Sequence, residues 1–334
     1  MKGRRARVWL GLVLSVAALA LVLRQVDVAA VRAALRQAPP RALAEVALWF
    51  LLAMLTRAWA WQALLGPGVG FATAFWALQV GFLFNTLLPF RLGEALRAWV
   101  VHREAGVSWP RALSSVALAR ATDAALLAGV LVLTWPGGAA ARRPWAWRAG
   151  ALLAALLGGL LALAWLRRNP QRLPARWRSA VQEAAAVARG RALVRFALGK
   201  ALTWSLLAAY FRGLARAWLP HLPWDAAAWG MAATTLGIAL PSAPGYIGVY
   251  EAAAVAVMGH LGLEADRALA FALLQHGLYL ALTTALGLLA LARLGWGWQR
   301  WRREWRAANR QAQQPRMHAD ERGLIKQKIT KKRE

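Results

Sequence analysis

Residues 81–123, GFLFNTLLPFRLGEALRAWVVHREAGVSWPRALSSVALARATD, place ionisable side chains inside apolar runs, and this constrains the fold more than any other feature of the chain. The apolar run FATAFWALQVGFLFNTLL is interrupted at Pro89 and resumes after Gly93, with Arg91 and Glu94 at the interruption. A second run, ALSSVALARATDAALLAGVLVL, carries Arg120 and Asp123 within it. A charge at the centre of a bilayer costs roughly 2.5–3.5 kcal/mol or more, so such groups face a protein interior or a wet cavity. Buried polar chemistry is the expectation that follows.

Hydrophobic residues make up 59% of the chain and charged residues 17%. Several runs approach the ~20 apolar residues that cross a bilayer, which predicts an all-α polytopic membrane protein. Its net charge of +28 suggests nucleic acid at first sight, but Lys and Arg concentrate in links and at the termini, as cytoplasmic anchoring requires. A folded basic module or RNA-binding motif is lacking, so nucleic acid is not expected as a partner. The absence of cysteine excludes disulfides, thiol catalysis and cysteine-ligated metal. Neither HExxH, a P-loop nor GxGxxG occurs, and no catalytic residue, metal ligand or cofactor is assigned.

Taken in order, residues 8–23 read as a retained first span between Arg7 and Arg24. Residues 24–41 are an Arg-dotted link closed by Pro39 and Pro40, and 42–65 form the next span. A Pro/Gly/Arg loop at 135–148 leads to a clean apolar span at 149–166. The Arg-rich stretch 167–195 shows helical spacing of apolar residues and reads either as an interfacial amphipathic helix or as a solvated linker. Spans at 196–219 and 268–291 flank a second broken run, 226–263, which contains Glu251; the last span contains His276 and Tyr279. Residues 293–334 begin as a basic Trp/Arg segment suited to an anionic membrane surface and end in a polar tail expected to be disordered.

Displacing the chain on itself by about 155 residues superposes the two broken runs. Trp49, Leu51, Leu52 and Arg57 fall on Trp204, Leu206, Leu207 and Arg212, and Pro89 and Gly93 fall on Pro244 and Gly248. After a slip of one residue, Arg120 meets His276 and Asp123 meets Tyr279. The halves, 8–136 and 149–292, each read as span, span, broken hairpin, span. That makes about six full spans plus two re-entrant hairpins. An odd number of crossings per half inverts the second half, and both termini are then cytoplasmic. Inverted repeats with broken helices near the midplane are a transporter architecture. Pro89, Gly93, Pro241, Pro244, Gly245 and Gly248 shape the breaks. Asn85, Arg91, Glu94, Arg120, Asp123, Glu251, His276 and Tyr279 are the candidate substrate-binding residues. Arg suits a phosphate through its planar fork. Structural readings stand beside these: Arg120 and Asp123 as a self-neutralising pair on one helix face, Arg91 and Glu94 as interfacial, Asn85 as a cap, and His276 as a packing residue. Arg57 and Arg212 lie near span ends, where snorkelling is expected.

Three constellations, NTLLPFRLGE, RATD and LPSAPGYIGVYE, with the spans around them, resemble the lysylphosphatidylglycerol synthase transmembrane region, also called the flippase-like domain family. The resemblance implies a bacterial inner-membrane protein whose relatives move or hold anionic, sometimes aminoacylated, phospholipids or other lipid-linked substrates. In full-length synthases a soluble domain follows and transfers the aminoacyl group; the mostly polar residues after Leu291 do not match one, so aminoacyl transfer by this chain alone is not expected. The leading expectation is a protein that translocates or binds anionic phospholipid. Two alternatives remain: a scaffold for a separate lipid-modifying enzyme, and a membrane-embedded transferase with Glu94 or Glu251 as base.

Inversion makes a directional prediction. In this naturally cysteine-free chain, a single cysteine at Ser108 is expected to label from the cytoplasmic side and one at Glu264 from the opposite side; labelling of both from one side would refute the inverted repeat.

Overall fold

A computed structural model describes residues 27–36, 39–88, 91–135, 190–238 and 243–295, with scattered positions in 20–24 and 150–182. Among these residues the chain is helical throughout, without strand. The elements are α1 (Val28–Leu35), α2 (Pro40–Leu65), α3 (Phe71–Leu87), α4 (Gly93–Ala105), α5 (Trp109–Leu133), α6 (Gly190–Ala215), α7 (Trp224–Gly237), α8 (Val249–His260) and α9 (Ala265–Arg293). A 3-10 turn, Pro244–Tyr246, lies between α7 and α8. The chain divides into two compact units, Met1–Gly287 and Leu288–Glu334. Of the second, the described residues are the end of α9 and the turn after it.

Four helices, α2, α5, α6 and α9, are long and apolar enough to cross a bilayer. They match the spans expected at 42–65, 112–133, 196–219 and 268–291. Local chemistry sets their ends: Pro40 and Pro110 sit in the first turn of α2 and α5, where the missing N–H is no loss. The helices around the breaks are shorter. At 1.5 Å per residue α3 reaches roughly 25 Å and α4 roughly 20 Å, less than the ~30 Å hydrocarbon thickness. Most of the expected spans at 8–23 and 149–166 and of the linker 167–195, together with Pro89, Pro241 and the tail beyond 295, lie outside the described residues.

The expected link at 24–41 contains a helix of its own. Asp27 caps α1 by accepting from Ala29 N–H at 2.9 Å, and its own N–H donates to Asp266 at the start of α9, 2.8 Å away. At the centre of the unit, α2 and α6 form the most extensive helix pair. These are the helices that the internal repeat superposes. They approach closely because Gly199 faces Ala60, and Thr56 and Thr203 share a 3.0 Å hydroxyl hydrogen bond across the seam. Around this axis the other contacts occur in matched pairs: α3 on α4 and α7 on α8, α4 on α5 and α8 on α9, α5 against α7 and α3 against α9. The element order of the first half therefore recurs in the second.

The first break depends on one small residue. A Cβ at Gly93 would overlap the Gly81 carbonyl oxygen and lie 2.7 Å from Asn85 Oδ1. Gly93→Ala is expected to force α3 and α4 apart and destabilise the detergent-purified protein by about 1–3 kcal/mol, seen as a lower thermal midpoint. Gly129→Ala, with nothing near the added atom, is expected to be neutral or stabilising because alanine favours helix by about 1 kcal/mol.

Candidate substrate-binding site

Glu94 stands in the first turn of α4 directly after the break, where the helix dipole favours a carboxylate. Arg97, one turn on, pairs with its Oε2 at 2.6 Å. From α5, Arg120 pairs with Oε1, to which Asn85 Nδ2 of α3 also donates at 2.9 Å. One carboxylate therefore ties α3, α4 and α5 together. The guanidinium of Arg97 rests on Trp61 of α2, 4.9 Å from the ring centroid, and Trp61 Nε1 donates to Ser115 of α5.

Asp123 repeats this arrangement one turn along α5. Its Oδ1 accepts from Lys200 Nζ at 2.6 Å and from Trp204 Nε1 at 3.0 Å, both from α6. Its Oδ2 faces Arg120 Nη1 at 3.6 Å. Asp123 and Lys200 are both buried, so each charge depends on the other for solvation. Arg57 of α2, 7% exposed, lies 5.1 Å from the Trp204 ring and 5.5 Å from that of Phe82, and its Nε and Nη2 have no hydrogen-bond partner among the described residues. Four cations, Arg57, Arg97, Arg120 and Lys200, thus surround two carboxylates, Glu94 and Asp123, a local excess of positive charge.

Three of these groups, Arg57, Arg120 and Asp123, line a cavity of about 270 Å³ between the halves. Arg57, Arg91, Arg120 and Asp123 are its charged wall residues, and the rest of the wall is largely aromatic, aliphatic and hydroxyl-bearing. Arg91 reaches it from the first break: its Nη2 donates to the Ile238 carbonyl at the end of α7 (3.2 Å), and its guanidinium faces the Tyr246 ring of the second break at 6.0 Å. Arg91 and Tyr246 share an unusual backbone, with φ of +52° and +61°. Both are non-glycine residues in the left-handed region, which is costly and recurs at functional sites.

The second half holds a carboxylate in the same place as the first. Glu251, in the first turn of α8, accepts from Gly248 N–H at 2.6 Å and pairs with His276 Nδ1 of α9 at 2.6 Å. Gly248, at φ +85°, and Gly245, at φ +73°, supply the left-handed conformations of this break. Tyr250 stacks on His276 at 4.3 Å between centroids. Where the repeat superposes Arg120 and His276, each side chain pairs with a glutamate of the helix after the break.

Of the sequence candidates, the structure brings Asn85, Arg91, Arg120, Asp123 and Tyr279 to the cavity wall. Glu94 stands directly behind it, bonded to wall residues. Glu251 and His276 form a separate buried pair that does not line the cavity. Arg120 and Asp123 are not the simple pair that spacing suggests, since the closest partner of each lies on another helix. Nor does Arg57 snorkel: it is buried and turned inward, whereas Arg212, its repeat mate, binds the Leu222 carbonyl and packs on Trp224. Lys200 and Arg97 were not foreseen. Lys200 had a legible signal as a lone cation in FALGKALTW, inside an apolar run.

Comparison with known proteins supplies the context. A segment of 143 residues is 31% identical to the glycosyltransferase AglD of Haloferax volcanii, covering 41% of this chain and 22% of that protein. The chain thus spans about a fifth of the length of this curated relative. The family described as lysylphosphatidylglycerol synthase TM region matches residues 8–287. With charged groups gathered inside a bundle of apolar helices and this match over most of its length, the chain belongs to the lysylphosphatidylglycerol synthase transmembrane region family of membrane proteins.

Proposed function

We propose that the cavity binds the phosphate of an anionic phospholipid or lipid-linked phosphate, and that rocking of one half against the other carries it across the cytoplasmic membrane. The observation that carries this reading is the charge of the wall: three guanidiniums, Arg57, Arg91 and Arg120, against one carboxylate, Asp123, whose oxygens are already engaged. A guanidinium offers five N–H donors in a fork that matches phosphate oxygens. Apolar walls suit the attached acyl or prenyl carbon. Glu94 and Asp123 hold the cations in place rather than meet the substrate. In this reading Glu251 and His276 support the second break from behind.

The shared segment with a glycosyltransferase, a small fraction of that protein, favours a second reading. Here the bundle holds a lipid for a separate lipid-modifying enzyme and does not move it.

Exchange of fluorescent phosphatidylglycerol between the leaflets of liposomes, followed by quenching, separates the two readings. Translocation predicts exchange above that of empty liposomes. Arg57→Gln, which leaves every ion pair above intact, is expected to slow exchange about tenfold or more, the loss of a charge-assisted hydrogen bond. Arg120→Ala is expected to abolish it and also to lower stability, because it leaves Glu94 short of a partner. Binding without exchange in folded protein would favour the holding role; neither binding nor exchange would refute the phosphate site.

A further inference from the structure

Resting on the phosphate-binding reading above, we propose that His276 is a proton-binding site linked to the cavity, so that an anionic lipid is taken up together with one proton. The internal repeat points to this residue. In the register with the slip of one residue, His276 stands where the first half has Arg120, and each pairs with the glutamate in the first turn after a break. An arginine is charged at every pH a cell meets, whereas a histidine gains and loses its charge near neutrality. Both pairs hold a break in place; the second can also take up and release a proton.

The geometry leaves one ring nitrogen ready for that proton. His276 is 2% exposed, and its Nδ1 lies 2.6 Å from Glu251 Oε1. Glu251 Oε2 accepts from the Gly248 N–H, so the carboxylate is held as an acceptor from two sides. A neutral imidazole then keeps its hydrogen on Nδ1, where it donates to Glu251, and Nε2 is a bare acceptor. Nε2 is buried and has no hydrogen-bond partner among the described residues. Buried polar atoms of native proteins are almost always paired, and a water pairs this one in either state, donating to the neutral ring and accepting from the imidazolium. The ring lies directly behind the cavity wall: Tyr250 stacks on it at 4.3 Å and Tyr279 faces it at 6.4 Å, and both line the cavity, as does the neighbouring Gln275. A cavity of about 270 Å³ has room for several waters, each needing ~10–15 Å³. A proton passes from such a water to the Nε2 lone pair and returns the same way; no other bond changes.

The charged and titratable groups around the ring set the sign of the coupling. Glu251 and Tyr250 face it from α8 and Tyr279 from α9 itself; Tyr210 of α6 approaches through Gln275, to whose carbonyl it donates at 2.8 Å. The α3 helix, which also packs on α9, has no titratable side chain. On the cavity wall stand Arg57, Arg91 and Arg120, with Asp123 engaged by Lys200. Without an anion between them, three guanidiniums oppose a further positive charge on His276, and a phosphate in the cavity reverses that effect in a low dielectric. By reciprocity, protonation of His276 tightens the hold on phosphate by the same factor. A lipid monoanion that moves with one proton carries no net charge, so the membrane potential neither opposes nor drives it, and a pH gradient does.

The test is the pH dependence of fluorescent phosphatidylglycerol binding to the full-length protein in detergent, a lipid whose phosphodiester stays a monoanion throughout. Binding is expected to be at least about fivefold tighter near pH 5.5 than near pH 8.5, with uptake of up to about one proton per lipid from weakly buffered solution between them. His276→Gln, whose amide can still donate to Glu251, is expected to bind the lipid with a flat pH profile and no proton uptake. His276→Arg, which copies the first half, is expected to bind at every pH as tightly as the unsubstituted protein does in acid. A histidine that only packs would leave the slope in place in both variants. Affinity independent of pH in the unsubstituted protein, or a pH dependence that survives in His276→Gln, overturns this inference and leaves the phosphate site standing. Absence of binding at any pH overturns both.

Discussion

Desolvation of charge is the constraint on which the rest of this structure depends. Glu94 can exist as a carboxylate among apolar helices only because Arg97 and Arg120 approach it from two directions and Asn85 donates a further hydrogen bond. Those partners belong to α3, α4 and α5, so solvating one anion also fixes three helices around the break. Asp123 does the same between α5 and α6 through Lys200 and Trp204. Positive charge exceeds negative in this cluster, and the excess is directed to the cavity through Arg57. Structure and binding potential arise from one arrangement.

The internal repeat shows which parts of that arrangement the scaffold requires and which were free to diverge. A carboxylate in the first turn after each break, paired with a side chain from the next long helix, occurs in both halves as Glu94 with Arg120 and Glu251 with His276. A short helix start exposes unpaired N–H groups, and a glutamate there meets both the dipole and the neighbouring helix. Such a pair is a packing device that both halves need. The cavity charges are not shared in this way, since Arg91 and Asp123 correspond to Tyr246 and Tyr279.

Much of this was legible in the sequence, and the remainder was hidden for identifiable reasons. Arg120 and Asp123 were visible because charge is rare in an apolar run, and Pro89 and Gly93 because Pro and Gly interrupt one. Linear spacing then pointed to the wrong partners: residues three apart on a helix are neighbours, yet Lys200 is closer to Asp123 than Arg120 is. Arg57 was misread because it lies in the second half of its span; Leu65 ends the helix eight residues later, roughly 12 Å, too far for a turned-in side chain to reach the interface. Nothing in the local sequence distinguishes Arg97, on a polar stretch, from a solvated residue. Its burial depends on Trp61, a residue of another helix.

Where the halves meet, the geometry favours movement at the breaks over movement along the central seam. Between α2 and α6, the close approach at Gly199 and the hydroxyl pair Thr56–Thr203 form a continuous, small-residue contact. Sliding would leave these hydroxyls to find new partners in an apolar interior. Among the described residues the breaks meet where Arg91 donates to the Ile238 carbonyl and faces the Tyr246 ring, between two residues held at positive φ. Strain of that kind costs on the order of 1–3 kcal/mol per residue, and its release opposes the few contacts that keep the breaks together. Arg91 is also exposed and lines the cavity, so under the proposed function a phosphate would compete with the Ile238 carbonyl for the same guanidinium. In that reading, a ligand that takes Arg91 weakens a polar link between the two breaks, which would couple occupancy of the cavity to opening of its wall.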